Sequence, residues 1–260
     1  MRVLVEHEGP LTTVTLNRPD KLNGLDLALF QALDEAGASL KGRRETRVVL
    51  LRGAGPAFCA GLDFPSFMAG GPEARDALIN ERRGPGNLVQ RVCWVWRELE
   101  VPVIAAVHGH CYGGGLQIAM GADVRVGHPD TRMSVMEIKW GIIPDMGFTR
   151  TLMGTVRSDV LAELTWTGRV VSGTEAQALG LLTYVDPDPL AKARSIAEAI
   201  AGRSPDAVRA AKAMMRQAPD LSTAEAFALE TELQVPLLGS PNQMEAVMAN
   251  LQKRPPRFQD

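Results

Sequence analysis

Two glycine-containing turns are the segments of this sequence best suited to chemistry. Residues 55–63 have the sequence GPAFCAGLD, residues 108–117 have the sequence HGHCYGGGLQ, and each follows a short apolar run typical of a buried strand. Glycine lets the backbone turn sharply and lets a bound group approach the amides closely. Two N–H groups directed at one carbonyl oxygen would stabilise the anion that forms when a neighbouring proton is removed. The alternative is that both are tight strand-to-helix turns that bind nothing.

Further motifs extend this pattern over nearly the whole chain. NRPDKLNGLD precedes the first turn, AFCAGLD and GHCYGGGLQIAMGAD contain the two turns, and EIKWGIIPDMG and QKRPPRF follow them. In this order the segments resemble those of the crotonase (enoyl-CoA hydratase/isomerase) superfamily. The resemblance implies an α/β fold with a crotonase-like core of repeated ββα turns and a C-terminal helical region. It also implies an acyl-CoA thioester substrate, with the N–H groups of Leu62 and Gly114 as the oxyanion hole.

The same resemblance leads to expectations about cofactors and assembly. No metal and no separate cofactor are implied, because CoA is part of the substrate. Relatives of this kind assemble as homotrimers or as dimers of trimers, so we expect one of these states here.

The acid groups indicate which reaction the site performs. The enoyl-CoA hydratases that this sequence resembles hold a water molecule between two glutamates, and the matching positions here are Gln117 and Glu137. Glutamine forms hydrogen bonds but cannot carry a proton away. A single glutamate is enough to take a proton from C2 of a 3-enoyl-CoA and return it at C4. We therefore favour isomerisation with Glu137 as the acid/base. Hydration of an enoyl-CoA by a water molecule that Glu137 activates and Gln117 orients stays open.

Asp145 raises a third alternative. It follows Glu137 by eight residues, a spacing at which the dienoyl-CoA isomerases of this family carry an acid pair, although those enzymes have Asp at the position of Gln117. A dehalogenase branch of the family also places a nucleophilic Asp in this region. Asp145 could instead cap the turn before a helix.

A hypothesis from another class of protein also stays open. The chain could be a non-catalytic acyl-CoA-binding homologue that kept the fold after one acid was lost, because fold does not fix function.

CoA needs basic groups and backbone donors along its path. The resemblance places Leu62, Asp63, Phe64 and Pro65 along the pantetheine and adenine path, with Ala60 also among the substrate-binding residues. Lys21 and Leu22 are candidate phosphate neighbours. Three basic residues of the tail are candidate phosphate neighbours or could complete the site of an adjacent subunit: Lys253, Arg254 and Arg257.

The elements that must position these residues follow from the apolar pattern. The sequence predicts a hairpin near residues 3–16, a helix over 25–40, a strand over 47–53, a helix over 88–99 and a strand over 103–107. Residues 64–87 lack clear periodicity and predict a mobile loop with a short helix. After Pro189 the pattern becomes helical. We therefore divide the chain into an α/β core at 1–189 and a C-terminal helical trimerisation region at 190–260.

Composition excludes several classes of function. The formal net charge of −2 gives no electrostatic reason to expect nucleic acid. No apolar run approaches the roughly 20 residues needed to span a bilayer, and the opening MRVLVEHEGP is unlike a signal peptide. Three cysteines without metal-ligand spacing favour reduced thiols. We expect a cytoplasmic protein without a membrane partner.

Overall fold

The apolar run near residue 50 forms an interior strand of the main sheet. The computed structural model of the chain describes residues 1–80 and 82–260, and the fold is mixed α/β. Within those residues the strands are β1 (Val3–Glu8), β2 (Leu11–Leu16), β3 (Val48–Gly53), β4 (Arg82–Arg83), β5 (Gly86–Asn87), β6 (Val103–Val107), β7 (His110–Tyr112), β8 (Val124–Gly127), β9 (Arg132–Ser134), β10 (Val171–Ser172) and β11 (Tyr184–Val185).

Helices surround the sheet and make up most of the chain after residue 188. The α-helices are α1 (Leu27–Ser39), α2 (Phe64–Ala69), α3 (Gly71–Ile79), α4 (Leu88–Glu98), α5 (Gly114–Met120), α6 (Phe148–Thr151), α7 (Ser158–Thr167), α8 (Gly173–Ala178), α9 (Pro189–Ala201), α10 (Pro205–Gln217), α11 (Thr223–Gln234) and α12 (Pro241–Leu251). A 3₁₀ helix spans Glu137–Trp140. In the part of the chain described, no helix is both long and apolar enough to cross a lipid bilayer.

The main sheet has the strand order β1-β2-β3-β6-β8-β11. Only the β1–β2 hairpin is antiparallel; the remaining neighbours run parallel. Parallel strands are covered on both faces, so they are apolar at every position rather than at alternate ones. Val49 and Leu51 accordingly face the larger core beneath α1 and α4, while Val48 and Leu50 face the opposite side.

Strand, short strand and helix recur in the chain. β6 leads to β7 and α5, and β8 leads to β9 and the 3₁₀ helix at Glu137. β3 leads to Cys59, a single bridging residue in place of a short strand, and then to α2. These repeated ββα turns confirm the predicted fold class. The short strands form a second sheet of order β10-β9-β7.

The first helix beyond residue 189 packs directly on the main sheet. Ala193, Ala197 and Ala201 of α9 are buried against the face that carries Val48 and Leu50. Small side chains at a spacing of four residues let this helix approach the sheet closely. The division of the chain at residue 189 stays a prediction.

The expectation of a loop at 64–87 is wrong in part. This stretch forms α2, α3 and the β4–β5 hairpin, with residue 81 outside the described residues. Asp63 caps α2, Asn87 caps α4, and both α2 and α3 have proline in their first turn. Proline is tolerated there because those N–H groups have no partner within the helix. Helices this short show little periodicity, so the Gly/Pro-rich composition hid them.

Lys212 joins the C-terminal helices to the core. Its Nζ donates to the carbonyls of Val101 and Trp96 at 2.7 and 3.1 Å, and lies 2.8 Å from Asp123 Oδ2. Burial lowers the pKa of the Lys212 ammonium, and Asp123 opposes that shift. The Lys212 ammonium is therefore buried, and three acceptors satisfy its three N–H donors.

We expect Lys212→Met to destabilise the protein by about 2–3 kcal/mol, because two carbonyls lose a charged donor and a partly buried carboxylate loses its ion pair. Lys41→Met is the matched control. Lys41 forms a similar pair with Glu98 at 2.6 Å, but its side chain is 44% exposed, so we expect a cost below about 1 kcal/mol. Urea unfolding of both variants gives the two free energies, and equal losses would contradict this account of Lys212.

Candidate active site

Backbone pairing brings three separate turns of the chain side by side. Cys59 pairs with Cys111 in a parallel bridge, and Cys111 pairs with Met133 in the β7–β9 ladder. All three side chains are buried. Parallel neighbours keep a constant register, so the segments that continue from these residues emerge at one edge. Leu62, Gly114 and Glu137 follow them by three or four positions and line one cavity.

The peptide N–H of Leu62 takes no part in the pairing of its segment with Leu25. Leu25 N donates to Gly61 O at 2.8 Å, and Asp63 N donates to Leu25 O at 3.0 Å. In a parallel bridge of this pattern, the residue between the two bonded positions directs its own N–H away from the partner strand. The Leu62 N–H therefore points away from Leu25.

The second turn approaches the first closely because both contain glycine. A Cβ on Gly61, which has φ +88°, would lie 2.8 Å from Tyr112 O and 3.7 Å from Gly114 N. A Cβ on Gly115 would lie 2.3 Å from Cys59 O. Backbone atoms cannot move aside as a flexible side chain can, so larger residues at these positions would force the turns apart.

Gln117 fixes the orientation of Glu137. Gln117 Oε1 accepts from Met146 N at 2.9 Å, so its amide nitrogen points the other way and donates to Glu137 Oε1 at 2.7 Å. Both side chains are buried. Glu137 Oε2 is buried without a hydrogen-bond partner among the described residues. One carboxylate oxygen is thus held in place, and the other keeps its lone pairs unused.

Both acids of the cavity have raised pKa values. Burial raises the pKa of Glu137, and the nearby charge of Asp145 raises it further. Hydrogen bonds, including the one from Gln117, lower this pKa but do not cancel the increase. Asp145 lies at the edge of the cavity, and a large part of its surface is exposed to solvent. The atoms packed around its carboxyl group still desolvate that group enough to raise the pKa of Asp145. Groups with such shifts in a cavity are typical of acid/base sites.

The cavity between these elements is largely apolar. It has a volume of about 600 Å³. Besides the residues already named, it is lined by Phe30, Phe64, Phe67, Leu78, Ile79, Val89, Ile142, Ile143 and Met146, with Arg75 and Gly141. Such a lining suits a hydrocarbon group, while two acids and two peptide turns lie on its wall.

Not all of the predicted site residues reach this cavity. Leu62, Phe64, Gly114, Glu137 and Asp145 line it, whereas Gln117 lies behind Glu137. Asp145 lines the cavity, and Gly147 rather than Asp145 is the N-cap of α6. A chemical role for Asp145 stays a prediction.

The residues predicted to contact CoA lie around the first turn. Leu22 O accepts from Ala60 N at 2.9 Å, which joins residues 21–22 to this turn. Lys21 and Pro65 are exposed. Asp63 caps α2 through Ser66 and pairs with Arg18 at 2.7 Å, so its carboxylate is already engaged. CoA contacts by these residues stay a prediction.

The basic tail residues differ in their surroundings. Arg254 pairs with both carboxylate oxygens of Glu245, at 2.6 and 2.8 Å, and the Arg257 N–H donates to the same carboxylate. Lys253 is exposed. The tail is therefore held against α12. Contact between its basic side chains and the phosphates of CoA stays a prediction.

Some residues of the site gave no signal in the sequence. Met146 contributes its backbone N–H, which any residue other than proline would supply. Phe30 and Val89 lie on α1 and α4 at apolar positions that look like ordinary core. Arg18 was visible within the NRPDKLNGLD segment, but nothing in the sequence indicated its partners.

Comparison with known proteins gives a consistent result. Residues 6–260 match the family model described as enoyl-CoA hydratase/isomerase. The chain is 32% identical to the enoyl-CoA hydratase EchA19 of Mycobacterium tuberculosis, covering 99% of this chain and 96% of that protein. It is also 32% identical to the peroxisomal Delta(3,5)-Delta(2,4)-dienoyl-CoA isomerase of Arabidopsis thaliana, covering 94% and 90% respectively.

Solved structures agree with this comparison. The crystal structure of an enoyl-CoA hydratase from Bacillus anthracis matches with a TM-score of 0.91 and 28% identity, covering 99% of both chains. Hydratases and an isomerase both occur among the relatives, so similarity does not distinguish the two reactions.

We expect Glu137→Gln to stabilise the folded protein at neutral pH. A carboxyl whose pKa is raised by folding contributes stability when protonated and loses that contribution as pH rises through the raised pKa. Glutamine keeps an acceptor for Gln117 without the buried charge. The melting temperature of the variant should exceed that of the wild type at pH 8, and the difference should shrink toward pH 4. A variant that melts lower at pH 8 would contradict the raised pKa.

Proposed function

Because the chain belongs to the enoyl-CoA hydratase/isomerase family, whose members act on acyl-CoA thioesters, we propose that it is an enoyl-CoA isomerase. It would move the double bond of a 3-enoyl-CoA into conjugation with the thioester. The observation that carries this proposal is the state of Glu137: a buried carboxylate with a raised pKa, one oxygen held by Gln117 and the other free.

The thioester oxygen would lie between the Leu62 and Gly114 N–H groups. Support comes from the Leu62 amide, which is turned away from Leu25, and from the close approach of Gly61 to Gly114 N. Removal of a C2 proton places negative charge on this oxygen, and two fixed donors stabilise it as it forms. Losing one such donor typically raises the barrier by about 3–4 kcal/mol.

Glu137 would carry out both proton transfers. Its unpartnered Oε2 takes the proton from C2, and the electron pair moves into the enolate. The double bond then re-forms between C2 and C3, and the same carboxyl returns the proton to C4. No proton is gained or lost overall, so a single acid/base is sufficient.

Gln117 argues against ordinary two-acid hydration. Its carbonyl accepts from Met146 N and its amide donates to Glu137, so the side chain is committed at both ends and has no proton to transfer. A water molecule activated by Glu137 alone is the second candidate reaction. It is favoured by the hydratases among the relatives.

Asp145 supports a related isomerisation. It lines the same cavity as Glu137, and both pKa values are raised. A pair of acids could shift a conjugated dienoyl thioester, with one carboxyl removing a proton and the other supplying one at a distant carbon. The dienoyl-CoA isomerase among the relatives favours this candidate reaction.

We expect the wild-type protein to convert trans-3-hexenoyl-CoA to the conjugated 2-enoyl thioester, seen as a rise in ultraviolet absorbance. Glu137→Gln should lose about 10³-fold in kcat, because the proton carrier is removed while the donors stay in place. The variant should bind the substrate with little change in affinity.

A second variant separates the candidate reactions. Gln117→Glu places a second acid in contact with Glu137, where the two carboxyls can share and pass on a proton. It should therefore raise hydration of a 2-enoyl-CoA without raising isomerisation. Efficient hydration by the wild type, without isomerisation, would refute our preference. Binding of either thioester without turnover would favour the non-catalytic alternative.

We also propose that the chain assembles as a homotrimer or a dimer of trimers. Large apolar side chains of the C-terminal helices are exposed in the single chain, among them Phe227, Val235, Leu238, Met244 and Leu251. Exposed apolar surface of this extent is typical of protein–protein contact.

We expect light scattering at micromolar concentration to give three or six times the chain mass of 28.1 kDa. Phe227→Glu and Leu238→Glu together should reduce the measured mass, because charged side chains are costly to bury in an apolar interface. A stable monomer of the wild type would overturn the proposed assembly.

A further inference from the structure

A buried arginine lies beside the first turn but does not line the cavity. The Arg18 side chain is only 8% exposed. Its Nη1 lies 2.7 Å from Asp63 Oδ2, and its Nε lies 3.5 Å from Asp26 Oδ2. Asp26 caps α1 and Asp63 caps α2. One guanidinium therefore joins the starts of two helices.

The same nitrogen also reaches the backbone opposite Asp63. Arg18 Nη1 donates to Gly24 O at 2.8 Å. Gly24 precedes Leu25, and Asp63 follows Leu62, so this one group touches both segments of the Leu25–Leu62 bridge. A Cβ on Gly24 would lie 3.6 Å from Asp63 Cβ, which shows how closely the segments pack.

Asp63 is held from several directions. Ser66 donates to it through its backbone N–H at 3.2 Å and through its hydroxyl at 2.8 Å. Burial raises the pKa of Asp63, but the hydrogen bonds from Ser66 and the Arg18 guanidinium outweigh this effect and hold that pKa below its ordinary value. The residue after Leu62 is thus an ionised carboxylate in a fixed position.

We propose that Arg18 is a positioning residue for the Leu62 N–H. By clamping Gly24 on one side and Asp63 on the other, it fixes the peptide plane between Gly61 and Leu62 relative to Gly114. Arg18 touches no substrate in this account. This positioning role rests on the proposed function in one respect, which is that the Leu62 N–H donates to the thioester oxygen.

The size of the effect follows from the sensitivity of such donors to geometry. Removing an oxyanion-hole donor costs about 10²–10³-fold in rate, and a displacement near 1 Å can cost about 10²-fold. Loss of the clamp moves the donor without removing it. We expect a fall of about 10- to 100-fold in the chemical step, with substrate affinity largely kept.

The test uses proton exchange rather than isomerisation. Butyryl-CoA is saturated and cannot isomerise, but an enzyme that forms its enolate exchanges the C2 protons for deuterium in D₂O, which mass spectrometry detects. We would measure the exchange rate at saturation and the dissociation constant of butyryl-CoA for wild type, Arg18→Met and Arg18→Lys.

Arg2→Met is the matched control. Arg2 Nη2 binds the same Asp26 oxygen at 2.6 Å, but its side chain is 40% exposed and no ion pair joins it to Asp63 in the part of the chain described. We expect Arg2→Met to exchange at the wild-type rate. Arg18→Met should be 10- to 100-fold slower with a dissociation constant within about threefold of wild type, and Arg18→Lys should recover part of the loss.

Asp63→Asn addresses the same pair if Arg18→Met fails to fold. Asparagine still caps the helix but removes the charge, so exchange should slow. Where Arg18→Met does fold, adding it to Asp63→Asn should slow exchange little further. Wild-type exchange rates in folded Arg18→Met or in Asp63→Asn would overturn the positioning role.

The result also distinguishes this inference from the proposed function. Exchange without isomerisation by the wild type refutes the isomerase and leaves the Arg18 comparison intact. Wild-type protein that binds butyryl-CoA but exchanges no proton overturns the role of the Leu62 N–H and this inference with it.

Discussion

The pairing of Cys59, Cys111 and Met133 is the constraint on which the rest of the site depends. Hydrogen bonds across these residues set the register of three turns that are far apart in sequence. Their small or flexible buried side chains and the glycines beside them permit the close approach. If this register slipped by one residue, every side chain beyond it would face the other way. The positions of both amides and of Glu137 therefore follow from backbone pairing.

The cavity combines two demands that oppose each other. A proton shuttle benefits from a carboxyl whose pKa is raised toward the working pH, and burial raises the pKa of Glu137 above its ordinary value. The same burial destabilises the fold when the carboxylate is ionised. Gln117 moderates the conflict, since its amide supplies one hydrogen bond and Met146 N prevents it from turning away. The buried oxygen without a partner among the described residues is a cost to stability, and it is the atom that we propose as the proton carrier.

Short-range signals predicted much of the fold. The β1–β2 hairpin, α1, β3, α4 and β6 lie within two residues of their predicted bounds, because each shows an apolar period or run with clear ends. The segment at 64–87 was harder to predict, since its helices are too short to show a period. The strands β7 and β9 were also missed. Each has three residues and is held by its neighbours rather than by its own composition.

The sequence by itself determined the family, the two glycine turns and the residue types available for chemistry, because these are properties of local order along the chain. Only the tertiary structure decided that Gln117 binds Glu137 instead of facing the cavity, that Asp145 shares that cavity, and that Arg18 clamps the first turn. Each of these contacts joins residues separated by 8 to 45 positions. Such contacts depend on how turns stack and which way side chains point, and no local pattern encodes that.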